Sequence, residues 1–83
     1  MKSTQKLQQK RLEKGLSQAG LADASGVSKR MIQDYEHDDR DINGAKLLTL
    51  LKLCNTLECR LDDILDDPET LSELKTYTDA GVA

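Results

Sequence analysis

The chain has 83 residues, which is enough for one domain and too few for two. Its apolar residues are mainly Leu, Ala, Ile and Val, with no Trp or Phe and two Tyr, a composition that favours helices over strands. No apolar run reaches the ~20 residues that span a bilayer, so we expect a soluble, cytoplasmic protein with no membrane contact.

The residue types used in most metal sites and in nucleophilic catalysis are scarce. His37 is the only histidine, and Cys54 and Cys59 lie in a leucine-rich region, where we expect small, reduced core residues. The chain has no phosphate-cradling glycine loop and no Cys/His pairing at a useful spacing. We therefore predict no metal site, no cofactor and no enzymatic activity.

Charge is distributed unevenly along the chain, although the net charge is only -3. Residues 1–30 carry seven basic and two acidic side chains, whereas residues 31–83 carry five basic and thirteen acidic ones. This asymmetry predicts one surface that attracts a polyanion and another that repels it.

The first two helices are predicted from helix-forming residues and their caps. Residues 4–14 are good helix formers without Gly or Pro, and Gly15 follows where a left-handed residue ends many helices. Ser17 is an N-cap candidate, flanked by leucines at the spacing of a hydrophobic staple. This combination of cap and staple predicts a second helix over residues 18–25.

The same cap pattern recurs twice further along the chain. Gly26 ends the second helix, and Ser28 is the next N-cap candidate, which predicts a third helix to about Glu36. Asn43 is the last such candidate. It predicts a fourth helix over about residues 44–56, after a polar loop.

The last third of the chain gives weaker signals. Residues 61–65 predict a short fifth helix, which an Asp-Asp-Pro sequence closes. Leu71 and Leu74 allow one or two further helical turns. Residues 76–83 are expected to form a loose tail.

The segment from Leu16 to Glu36 predicts two short helices joined by a tight glycine turn, which is the arrangement of a helix-turn-helix unit. Its residue pattern resembles the phage-repressor/Cro type (XRE family) of helix-turn-helix proteins, and the likeness continues beyond the unit. The matching residues are Leu16-Ser17-Gln18-Ala19, Leu21-Ala22, Ser25-Gly26-Val27-Ser28, Ile32, Tyr35-Glu36, Arg40-Asp41-Ile42-Asn43, Leu47 to Leu53 and Leu61-Asp62-Asp63-Ile64-Leu65.

This resemblance covers about residues 5–66 and implies an all-α, five-helix, lambda-repressor-like DNA-binding domain. We accordingly divide the chain into a helix-turn-helix DNA-binding domain over residues 1–66 and a short C-terminal extension over residues 67–83. The extension is expected to be partly helical or disordered.

The third helix is the predicted recognition helix, because a helix fits the major groove and base pairs present distinguishable donors and acceptors there. By resemblance, its base-reading residues are Lys29, Arg30, Gln33 and Asp34. Lys29 or Arg30 can donate to guanine, and Gln33 can pair with adenine. Asp34 can either accept from cytosine or hold Arg30 through an i, i+4 contact.

The resemblance also implies contacts to the DNA backbone. The phosphate-binding candidates are Lys10, Ser17, Gln18, Arg40 and Asn43. Ser17 and the helix N-terminus offer N–H groups to a phosphate, and Gln18 both bonds a phosphate and braces the recognition helix. The plainer interpretation of these two residues is a simple N-cap followed by a surface glutamine.

Two further residues match family positions that serve structure. Arg11 and Glu36 correspond to a partly buried ion pair between the first and third helices. Removing one partner of such a pair strands a charge at a cost of ~3–5 kcal/mol.

The leading hypothesis is a repressor-like transcriptional regulator that binds double-stranded DNA as a homodimer. The resemblance assigns the dimer contacts to Arg60, Leu61, Asp62, Asp63 and Leu65. The loop over residues 37–41 is acidic, which weakens attraction to phosphates and makes dimerisation or partners necessary. The alternative is a helix-turn-helix used for protein interaction, such as an antitoxin or an anti-repressor.

Overall fold

The computed structural model describes residues 4–80, which form five α-helices and two 3₁₀ turns without a strand. The α-helices are α1 (Thr4–Glu13), α2 (Gln18–Ser25), α3 (Lys29–Glu36), α4 (Leu47–Leu57) and α5 (Pro68–Asp79), and the 3₁₀ turns are Ile42–Gly44 and Leu61–Asp63. The all-α prediction is confirmed, although the fifth helix is not the one predicted. No described helix is long and apolar enough to cross a membrane.

Local caps define α2 and α3 as the sequence predicted. The Ser17 hydroxyl accepts from the N–H of Gly20 at 2.9 Å, and the Ser28 hydroxyl accepts from the N–H of Met31 at 3.1 Å. Gly26 ends α2 with φ +80°, a left-handed conformation that costs glycine little. The turn between the two helices is therefore specified by residues adjacent in sequence.

The predicted start of the fourth helix is wrong, because Asn43 does not cap it. Asp41 caps a 3₁₀ turn instead, and α4 begins at Leu47. The Asn43 side-chain oxygen accepts from the N–H groups of Asp66 (3.0 Å) and Asp67 (3.1 Å). Its amide donates to the carboxylates of Asp41 and Asp66, both at 3.0 Å. Asn43 thus joins two loops that are distant in sequence.

Asn43→Ala should lower the free energy of unfolding by about 1–3 kcal/mol, since it leaves two backbone N–H groups and the Asp66 carboxylate without their partner and removes one of the two bonds to the Asp41 carboxylate. Asn55→Ala is the matched control, because Asn55 is exposed on α4 and should change stability by less than about 0.5 kcal/mol. Urea unfolding measures both changes. Equal losses would contradict the role assigned to Asn43.

Residues 61–65 were predicted to form an α-helix, but only a single 3₁₀ turn is present there. The N–H of Arg60 donates to the Asp63 carboxylate at 2.8 Å. The Lys6 ammonium donates to the carbonyl oxygens of Asp62, at 2.8 Å, and Leu65. Asp63 thus caps the start of the turn from within it, and Lys6 on α1 satisfies carbonyl oxygens in the turn and just after it.

The C-terminal helix is longer than predicted and continues through Thr76 to Asp79, where a loose tail was expected. The Asp67 carboxylate accepts from the Thr70 N–H at 2.9 Å and the Thr70 hydroxyl at 2.8 Å, and these bonds lower the pKa of Asp67. Pro68 follows at the first helical position, where its fixed φ favours a helix. Asp-Pro therefore begins a helix here. Residues 81–83 of the predicted tail lie outside the described residues.

The core is formed by α1 to α4, the turn between α2 and α3, the first 3₁₀ turn and the segment after the second one, while α5 buries no residue. Its members are Leu7, Leu21, Val27, Ile32, Tyr35, Ile42, Leu50, Leu53, Cys54, Leu57, Ile64 and Leu65. Cys54 and Cys59 are free thiols, and burial raises the pKa of Cys54 to about 12 and raises that of Cys59 as well. Both thiols are therefore protonated at neutral pH.

Candidate nucleic-acid interface

The packing of α3 determines which of its residues face outward. Ile32 and Tyr35 are buried against the core, and Met31 is half-buried beside them. Lys29 and Arg30, at the N-terminal end of the helix, are exposed. The helix is thus fixed along one side and presents two cations on the other.

The four predicted base-reading residues do not share one environment. Lys29 and Arg30 are exposed, whereas Gln33 and Asp34 are half-buried; Gln33 bonds to Gln18, and Asp34 pairs with Arg30. The Arg30 side chain is 82% exposed and that of Asp34 only 16%. The two cations are therefore more accessible to a ligand than the other two residues.

Asp34 ties the recognition helix to the loop that follows it. Its carboxylate pairs with Arg30 at 3.3 Å, the i, i+4 contact considered from the sequence, and also with Arg40 at 3.5 Å. Its carbonyl oxygen accepts from the N–H groups of Asp39 (2.8 Å) and Arg40 (3.2 Å). To accept a hydrogen bond from a cytosine, the Asp34 carboxylate would have to break its ion pair with Arg30 or Arg40.

A buried polar network connects α1, α2 and α3. Two Arg11 nitrogens donate to the Glu36 carboxylate at 2.7 and 2.9 Å, and a third donates to the Leu16 carbonyl at 2.9 Å. The Arg11 and Glu36 side chains are 8% and 1% exposed, which confirms the predicted ion pair. The hydrogen bond to Glu36 raises the pKa of Arg11.

Gln18 adds α2 to this network. Its amide donates to Glu36 at 3.0 Å, and its side-chain oxygen accepts from the Gln33 amide at 3.4 Å. Gln18 therefore links Glu36 and Gln33 on α3. The sequence indicated a brace at Gln18, but the bond to Glu36 was not foreseen because it joins residues 18 positions apart.

The predicted phosphate-binding residues differ in how accessible they are. Ser17 and Gln18 lie at the N-terminus of α2, where the first N–H groups have no intrahelical partner. Arg40 is exposed beside Asp34, and Lys10 contacts Glu13 at 3.5 Å. The Asn43 amide already makes two bonds within the protein, so a phosphate contact would require exchanging one of them.

The described residues contain no group of three His, Cys, Asp or Glu side chains arranged to hold a metal. The surface around α3 offers hydrogen-bond donors and positive charge from Lys29, Arg30, Arg40 and the N-terminus of α2, beside the exposed carboxylates of the loop over residues 37–41. This chemistry fits a polyanion.

Comparison with protein families identifies the type of domain. A family model described as helix-turn-helix matches residues 7–64, which is more than half of the chain. The matched segment contains every predicted base-reading and phosphate-binding residue. Neither a curated protein nor a solved structure gives a significant match.

Proposed function

We propose that this chain, which belongs to the XRE-type helix-turn-helix family of DNA-binding regulators, reads a specific double-stranded DNA sequence with α3. The observation that carries the proposal is the placement of Lys29 and Arg30. Both are exposed at the N-terminal end of a helix whose opposite side is buried at Ile32 and Tyr35. A helix held in this way can present its N-terminal side chains to base edges in the major groove.

Each residue around α3 then has a distinct role. Lys29 and Arg30 donate to guanine O6 and N7, and Gln33, held by Gln18, pairs with adenine. Asp34 positions Arg30 and Arg40 and, in this arrangement, leaves base reading to the cations.

The contacts to the DNA backbone come from the surroundings of α3. Ser17, Gln18 and the free N–H groups of α2 receive one phosphate, and Arg40 approaches another. Lys10 adds positive charge on α1. These groups position the helix in the groove without selecting a sequence.

The proposed regulator acts as a homodimer on two half-sites about 34–36 Å apart. Of the residues predicted for its interface, Arg60 and Asp62 are exposed, and Leu61 and Asp63 are half-buried. Leu65 is only 3% exposed and packs in the core, so it offers no surface to a second copy.

As a repressor-like regulator without enzymatic activity, the protein acts in the cytoplasm, where its DNA lies.

Selection from a randomised duplex pool tests this proposal, and it should yield one recurring sequence. Gln33→Ala should then lose discrimination at one A·T base pair by about 1–3 kcal/mol and leave the other positions unchanged. Gln9→Ala is the matched control, because Gln9 is exposed on α1. A pool without a recurring sequence would contradict sequence-specific binding. Unchanged discrimination in Gln33→Ala would contradict the role of Gln33 alone.

A further inference from the structure

One side of α4 is apolar and exposed. Leu47, Leu48 and Leu51 are 61%, 62% and 41% exposed, although the same helix buries four other residues. Leu51 lies four positions after Leu47 and three after Leu48, so it neighbours both on the helix surface, and the three leucines form a single patch, the leucine face. Contiguous exposed apolar surface of this kind marks an interaction site.

The leucine face is bordered by positive charge. Lys46 directly precedes Leu47, and Lys52 lies one turn after Leu48; both lysines are exposed. The helix itself, Leu47–Leu57, contains no acidic residue. The face therefore fits a helix that combines apolar side chains with carboxylates.

The chain carries such a helix in α5. Glu69, Glu73 and Tyr77 follow one another at i, i+4 spacing, so they form one stripe, and Tyr77 is 62% exposed. Leu74 is half-buried beside this stripe. With Asp79 and Lys75, α5 carries three acidic residues and one basic residue.

α5 also lacks packing of its own. None of its 12 residues is buried, and Leu71 is the α5 residue that packs against the core. Isolated helices of this length are marginal in water, since most helical stability in proteins comes from packing an apolar face. A second surface that covers α5 would therefore stabilise it.

We propose that two copies of this chain exchange these elements, with α5 of each copy packed on the leucine face of the other. The contact is reciprocal, so it closes into a two-fold dimer and does not extend into a filament. Charge complementarity specifies the occupant, because Lys46 and Lys52 meet the Glu69 and Glu73 stripe. This inference rests on the homodimer of the proposed function, places its contact at α4 and α5 and not at residues 60–63, and is independent of DNA recognition.

Charge reversal tests the exchange in the full chain without DNA. One variant combines Lys46→Glu with Lys52→Glu, and the other combines Glu69→Lys with Glu73→Lys. Sedimentation equilibrium should show a dimer for the unmodified chain and at least tenfold weaker association for each variant alone. An equimolar mixture of the two variants should restore the dimer, because each reversed face meets a reversed helix while the two unaltered surfaces meet each other.

Single leucine substitutions provide a matched control. Leu48→Ser should weaken the dimer at least tenfold, whereas Leu12→Ser should not, because Leu12 is 60% exposed but lies on α1. A dimer that survives in each charge-reversed variant would overturn the exchange and leave the homodimer standing. A mixture that stays monomeric would also overturn the exchange. A monomeric unmodified chain would overturn both the exchange and the homodimer, and binding to duplex DNA would be measured separately.

Discussion

Glu36→Ala should lower the free energy of unfolding by about 3–5 kcal/mol, because it strands the Arg11 guanidinium in the protein interior. Arg11 keeps its bond to the Leu16 carbonyl, but loses the two bonds that balance its charge. Small domains have total stabilities of only about 5–15 kcal/mol. The Tm should therefore fall by at least about 12 °C. Gln18 loses a partner in the same variant.

Two further variants distinguish the stability effect of a buried ion pair from that of an exposed one. Glu13→Ala breaks the exposed pair with Lys10 and should cost no more than about 1 kcal/mol. Arg11→Met combined with Glu36→Leu should recover most of the lost stability, because apolar residues of similar volume replace buried pairs well. Urea unfolding measures all three. A loss in Glu36→Ala as small as that in Glu13→Ala would contradict the buried network.

Lys29→Ala combined with Arg30→Ala should abolish specific DNA binding while the fold survives. Each cation that reads a base contributes about 1–3 kcal/mol, so the double variant should bind the selected duplex at least about 30-fold more weakly. Both side chains are exposed, and the exposed pair between Arg30 and Asp34 contributes little to stability. Circular dichroism should therefore give an unchanged helix content and a similar Tm.

The matched control for this variant is Lys14→Ala combined with Lys75→Ala. It removes the same charge from exposed positions on other parts of the molecule. It should weaken binding only slightly, because charges away from the DNA are screened by salt. Equal losses in the two double variants, measured by fluorescence anisotropy, would show that net charge and not base reading accounts for binding.

The parts of the fold that the sequence predicted correctly depend on neighbouring residues. Ser17 and Ser28 cap helices through N–H groups three positions away, and Gly26 supplies the turn between them. In each of these cases the residues that form the cap or the turn lie within a few positions of one another. The Arg11–Glu36 pair is not local, and it was predicted only because the chain resembles a family in which those positions pair.

The predictions were wrong where a local sequence pattern is compatible with two structures, or where a residue distant in sequence determines the structure. Asn43 has a side chain suited to capping, but its partners lie 23 and 24 positions away. Pro68 ends helices in many sequences, yet with Asp67 as the cap it begins α5. Asp34 lies on the outward part of α3 in the helical pattern, and only the folded loop places Arg40 against it.

Fluorescence anisotropy with the full chain tests the central claim most directly. The selected duplex and the randomised pool are compared at a low and a high salt concentration. The selected duplex should bind far more tightly than the pool, and affinity should fall steeply as salt rises, because phosphate contacts release counterions. No binding to either duplex at low salt would contradict DNA recognition and favour a helix-turn-helix that binds protein partners.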